Sequence, residues 1–172
     1  MVAYRRNFVA GGTYFFTVTL RDRRSRLLVE RIDDLRAAYD RVRGERPFTT
    51  DAIVVLPDHL HCVWTLPPDD ADYSGRWKAI KARFTSACRR AGVVLDRDDA
   101  GACDLWQRRY WEHTIRDARD FENHVNYIHY NPVKHGHAKV PSGWSHSSFH
   151  RFVHDGLLPP DWAVAPDFDV PE

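Results

Sequence analysis

The chain has 172 residues, a length that suits one domain and is enough to bury a core. Hydrophobic residues make up 43% and aromatic residues 13%, which excludes a disordered chain. Three cysteines at no close spacing, Cys62, Cys88 and Cys103, exclude a disulfide framework or a structural zinc site and predict a reducing compartment.

No stretch approaches the roughly 18 apolar residues of a spanning helix, and Met1 is followed by Val-Ala-Tyr-Arg-Arg instead of an apolar leader. A cytoplasmic protein is expected. The net charge of +1 hides a segregation along the chain. Residues 1–46 hold eleven arginines against six acids, and residues 73–91 hold six lysines or arginines and no acid. Residues 155–172 reverse the sign, with five acids, no base and the prolines Pro159, Pro160, Pro166 and Pro171. The pattern predicts a single basic domain over 1–155, suited to a polyanion, and an acidic, extended tail over 156–172.

After Gly11-Gly12, Tyr14, Phe16, Val18 and Leu20 alternate with Phe15, Thr17 and Thr19, the period of a half-buried strand. Ile32, Leu35, Ala38, Tyr39 and Val42 then recur at helical steps behind Asp33 and Asp34, which predicts a helix over 32–43 ending at Gly44. Residues 52–56 and 59–66 read as strands joined into a hairpin through Pro57-Asp58. Past Pro67-Pro68, the stripe Trp77, Ile80, Phe84, Cys88 and Ala91 makes a helix up to Gly92. Residues 93–104 are irregular, and 106–115 alternate as a fourth strand. Asp117 with Asp120 resembles a capping box for a helix whose stripe is Phe121, Val125 and Ile128 and which Pro132 closes. The first six elements follow β-α-β-β-α-β order. The fold class expected is α+β: a ferredoxin-like, largely antiparallel sheet with helices on one face, plus a C-terminal helix and the tail.

His59 and His61 stand two residues apart on the third strand. Both imidazoles therefore leave one face, opposite Leu60, Cys62, Trp64 and Leu66. Such a pair, about 7 Å apart along the strand, can converge on one metal ion, for which neutral histidine is a common ligand. Two polar residues on a solvated face would show the same spacing. On the last helix, His124, Tyr127 and Asn131 share a flank beside the apolar stripe, whereas Tyr130 points elsewhere. That border suits a reacting hydroxyl, and equally an interfacial tyrosine whose hydroxyl is merely satisfied.

His59-Leu60-His61 resembles the His-hydrophobic-His element of HUH single-strand endonucleases. The run from Trp111-Glu112-His113 through Tyr127-Ile128-His129-Tyr130-Asn131-Pro132-Val133-Lys134-His135-Gly136 resembles the REP-associated tyrosine transposases. Tyr4-Arg5-Arg6, Gly11-Gly12-Thr13, Arg46-Pro47-Phe48, Val55 to His59, and Trp144 with Ser147-Ser148-Phe149-His150 fit the same family. The resemblance implies an HUH transposase fold and a single-tyrosine nickase and strand transferase. Such an enzyme cleaves and rejoins single-stranded DNA at palindromic REP hairpins through a 5′-phosphotyrosine intermediate. By position in the motif it carries the nucleophile to Tyr127 and the metal ligands to His59, His61 and Asn131, the last standing where more distant relatives place Gln. The cofactor implied is Mg²⁺ or Mn²⁺, although two nitrogens and an amide oxygen also suit Zn²⁺. The partner implied is a DNA hairpin with an unpaired flank, bound at the nucleoid by a monomer that uses neither a membrane nor a nucleotide cofactor.

The charge map adds the grip. Arg5, Arg6, Arg21, Arg23, Arg24, Lys78, Lys81, Arg83, Arg108, Arg109 and Lys134 can track phosphates, with His135 and His137 near the cut. Tyr4, Trp77, Tyr110 and Trp111 can stack unpaired bases, although the helical spacing of Trp77 also suits a core residue. Two rival readings remain at this level. A non-catalytic module that binds structured single strands needs neither tyrosine nor metal. An HxH metal-dependent hydrolase would have to do without a third alternating histidine, because Val63 stands there, and without a Gly-rich phosphate loop.

Overall fold

Strand β1 (Thr13–Thr19) runs through the middle of an antiparallel sheet in which β2 (Thr49–Val55), β3 (His59–Thr65), β1 and β4 (Trp111–Thr114) lie side by side in that order. The computed structural model describes residues 5–97, 101 and 105–171, so Tyr4 and Cys103 fall outside it. Helices α1 (Leu27–Glu30) and α2 (Ile32–Glu45) connect β1 to β2, and α3 (Tyr73–Arg90) connects β3 to β4. Helices α4 (Ala118–Lys134) and α5 (Phe149–His154) follow. This is the ferredoxin-like order that the periodicity predicts. Among the described residues no helix is long and apolar enough to cross a membrane.

Strand alternation sends two sets of side chains to two cores. Tyr14, Phe16 and Val18 join Leu60, Cys62, Trp64 and the apolar stripes of α2 and α3. Trp77 stacks on Trp64 there at 4.3 Å between ring centroids and is 1% exposed. It is therefore core and cannot offer a face to DNA bases. Phe15, Ala52, Val54 and Val63 point the other way, onto Val125, Tyr127 and Ile128 of α4. A one-residue slip of β1 would exchange these sets, so burial on both faces pins the register.

The short helices α1 and α5 lie outside the elements that periodicity predicts, and three of the expected elements depart from expectation. Helix α4 continues past Pro132 to Lys134. The proline lies in the last turn, and Gly136, at φ 72°, closes the end with the His137 N–H donating to the Pro132 carbonyl at 2.8 Å. Strand β4 is short because residues 107–110 leave the ladder: Trp106 keeps an isolated bridge to Leu20, and Tyr110 turns back onto the large core. Residues 156–171 carry no helix or strand, as a Pro-rich segment should, yet they do not leave the body. Phe168 and Val170 pack on the α4 side of the sheet, because burying them removes apolar surface from water.

Candidate active site

The β1–β3 register places Thr17 opposite His61 and Thr19 opposite His59. Both imidazoles therefore stand on the face that α4 covers, exposed by 1% or less, with ring centroids 4.9 Å apart. Each ring is fixed through Nδ1. Asp58 Oδ1 lies 2.8 Å from that atom of His59, and Thr17 Oγ1 lies 2.8 Å from that of His61. Histidines that ligate metals through Nε2 are oriented in this way. Asp58 also accepts from Arg23 Nε at 2.7 Å. Burial works against the Asp58 charge, but the bonds from His59 and Arg23 outweigh it and hold the carboxyl below its usual range.

Helix α4 supplies the other two groups. Tyr127 and Asn131 are 0% and 1% exposed, and the Tyr127 ring stands edge-on to His61 at 5.3 Å. Tyr130 lies around the helix and is partly exposed. His59 Nε2 and both amide atoms of Asn131 are buried with no hydrogen-bond partner among the described residues. Leaving such an atom unsatisfied costs about 1–3 kcal/mol, so their presence on β3 and α4, two elements that pack together, fits a site completed by a bound group. Two imidazoles and an amide oxygen are a donor set suited to a divalent cation.

Lys134 belongs to this site more closely than its place among the DNA contacts suggests. Its ammonium donates to the Tyr127 hydroxyl oxygen at 3.0 Å and bonds Asp169 of the tail. The Tyr127 hydroxyl itself donates to Asp169 Oδ1 at 3.4 Å, and the Phe168 ring lies 5.4 Å from Tyr127 and 5.2 Å from His124. The spacing of Tyr127 and Lys134, close to two helical turns, was the available signal. Nothing local announces Asp169.

A second group of metal-type side chains, His113, Asp120 and His124, sits at the start of α4. Here the donors are engaged with one another. Asp120 accepts from His113 Nε2 at 2.8 Å and from the Arg116 N–H at 3.0 Å, and His124 Nδ1 lies 2.8 Å from the Asp120 carbonyl. The two rings stack at 4.7 Å in nearly parallel planes, so their in-plane lone pairs do not aim at one point. The group clamps α4 to β4. Burial opposes the Asp120 charge, but the bonds from His113 and Arg116 hold its carboxyl down at about 2. Its folded pKa is depressed, so the stabilisation is present above pH 4 and is lost as pH falls towards 2. Asp120→Ala should cost about 2 kcal/mol in urea unfolding at pH 7, with the gap to the parent chain narrowing below pH 4.

The basic residues divide. Arg5, Arg21, Arg24, Lys78, Arg108 and Arg109 are exposed. Arg6 stacks on the Tyr110 ring at 4.1 Å and donates to Ser74 Oγ, Arg83 pairs with Glu45, and Lys81 donates to the Gln107 carbonyl. Lys78, Lys81 and Arg83 ride on α3, across the sheet from the histidines. Beside His59 a cleft of about 340 Å³ gathers Arg23, Arg24, Arg26, His135 and His137.

No family model matches the chain. Over 163 residues it is 50% identical to the REP-associated tyrosine transposase of Escherichia coli K12, covering 95% of this chain and 92% of that protein. Over 174 residues it is 43% identical to a relative from Haemophilus influenzae Rd that carries the same family name, covering 99% and 98%. A solved structure of the REP-associated tyrosine transposase bound to a REP hairpin matches with a TM-score of 0.89 and 49% identity, over 100% of this chain and 98% of that one. With such identity sustained along the whole domain and the same fold beneath it, the chain belongs to the REP-associated tyrosine transposases.

Proposed function

We propose that this transposase nicks and rejoins single-stranded DNA at palindromic REP hairpins, with Tyr127 as nucleophile and a divalent metal held by His59, His61 and Asn131. The observation that carries this reading is the packing of the Tyr127 ring against the His59–His61 pair, with Asn131 buried one helical turn further along α4. The solved relative bound to a REP hairpin supports the choice of substrate.

His59, His61 and Asn131 would hold Mg²⁺ or Mn²⁺ through two imidazoles and an amide oxygen, and the ion would supply charge neutralisation at the scissile phosphate. The tyrosine needs help of its own. A phenol with a pKa near 10 is ionised to only about one part in a thousand at pH 7, and the Lys134 ammonium, 3.0 Å from the oxygen, is placed to stabilise the negative charge that develops there during attack. Attack by Tyr127 Oη forms a bond to phosphorus and breaks the bond to the 3′ oxygen, giving a 5′-phosphotyrosine and a free 3′-hydroxyl. A second 3′-hydroxyl reverses the step, so joining requires no nucleotide cofactor. Asp58 and Thr17 keep the imidazoles aimed throughout. Ligands and nucleophile come from one chain, which suits a monomer acting on DNA in the cytoplasm.

The cleft at Arg23, Arg26 and His137 suits phosphates entering beside His59. A covalent adduct trapped on a single-stranded hairpin oligonucleotide with Mn²⁺ is the direct test. The hairpin with unpaired flanks should be cut well, and an unstructured strand or a full duplex poorly. Equal cutting of all three would contradict this substrate.

The tail bears on this activity, because Phe168 and Asp169 lie over the tyrosine that must reach phosphate. If only the tail-displaced fraction reacts, ending the chain after Val164 should raise single-turnover cleavage about tenfold. An unchanged rate would show that the tail leaves the site freely.

A further inference from the structure

We infer that the chamber flanking the histidine pair on the β4 side is a base-reading subsite, taking one unpaired nucleobase next to the cut. The inference rests on the reading above that the chain cuts a single strand, and it deepens that reading by naming what selects the flank.

The chamber measures about 560 Å³ and is floored by Thr17 and Thr19. These are the register partners of His61 and His59, and Thr17 Oγ1 bonds His61 Nδ1 directly. Floor and histidine pair thus share a residue. The wall is the segment that leaves the β4 ladder, with Gln107 and Arg109 lining the space beside Trp111, the first residue of β4. Trp111 lies opposite Thr17 in the β1–β4 register, so alternation puts its half-buried indole on the same face as the histidines.

The lining chemistry separates a base from a phosphate. A phosphate subsite gathers cations, as the cleft on the other side of His59 does. In this chamber Arg6 is stacked on Tyr110 and bonded to Ser74, which leaves Arg109 among neutral hydroxyls, a carboxamide and an indole. An indole face stacks a base. A guanidinium and a carboxamide are the side chains that read base edges bearing acceptors. The tail reinforces the placement: Asp169 sits on the Tyr127 hydroxyl while Pro171 lines the chamber, and two extended residues span about 7 Å. An anionic group at the tyrosine and a ring in the chamber are therefore compatible along one strand.

The test uses the full chain, Mn²⁺ and a REP-type hairpin oligonucleotide in which an abasic site is stepped through the unpaired flank. For the parent protein, one position next to the cut should lose about tenfold in adduct formation when its base is removed, within the discrimination a good side-chain to base contact supplies. In Arg109→Ala and Gln107→Ala the intact hairpin should show that loss already, and the abasic site should add less than about twofold. Hairpin affinity is measured in parallel. An abasic penalty of equal size in parent and variants, with the hairpin still bound and cut, would overturn the subsite while leaving the proposed function standing. Failure of the parent protein to form an adduct with the unmodified hairpin would overturn both.

Discussion

Tyr127→Phe is expected to abolish the covalent protein–DNA adduct and to lower cleavage by at least about a thousandfold, the scale seen when a nucleophile is removed. Phenylalanine keeps the ring that packs on Phe15, His61 and Phe168. It removes only the hydroxyl that bonds Lys134 and Asp169, so the fold should lose no more than about 1 kcal/mol. Tyr130→Phe, on the same helix but partly exposed, should form the adduct at close to the parent rate. The pair is read by denaturing electrophoresis of one labelled hairpin after incubation with Mn²⁺. An adduct that survives in Tyr127→Phe and disappears in Tyr130→Phe would reassign the nucleophile.

Loss of the metal should be as severe. His59→Ala removes one of the two imidazoles, and Mn²⁺ binding followed by paramagnetic resonance should weaken by at least about a hundredfold, with cleavage falling alongside. Hairpin affinity should stay within a few fold, because exposed arginines such as Arg5, Arg24 and Arg108 can grip phosphates independently of the ion. Asp58→Asn should show a milder form, about a tenfold loss of metal affinity, since the asparagine keeps an acceptor for the His59 N–H but surrenders the charge that Arg23 and His59 share. Parallel loss of hairpin binding and cleavage in His59→Ala would instead point to a structural histidine.

Much of the site was legible because its geometry is local. The two-residue spacing of His59 and His61 on a strand, and the four-residue spacing of Tyr127 and Asn131 on a helix, are set by the periods of the backbone itself. The same holds for the two faces of β1, where Tyr14, Phe16 and Val18 oppose Phe15, Thr17 and Thr19. Charge was a poorer guide. Arg6, Arg23 and Arg83 look alike in a count of basic residues, yet one stacks on Tyr110, one holds Asp58 and one pairs with Glu45.

By itself, then, the sequence determined the four strands and the three long helices, their order, the shared face of the two histidines and the flank that carries Tyr127 and Asn131. Periodicity and motif reach only a few residues along the chain, and those features lie within that reach. Tertiary structure decided which faces meet. It put α4 over β3, so that the Asn131 amide is buried on the histidine side of the sheet, and sent Trp77 into the core against Trp64. It closed the Lys134 ammonium on the Tyr127 hydroxyl and returned an acidic tail across the site through Phe168 and Asp169. Each of these depends on packing partners distant in sequence, and a hydrophobic or charged residue does not encode its partner in its own neighbourhood.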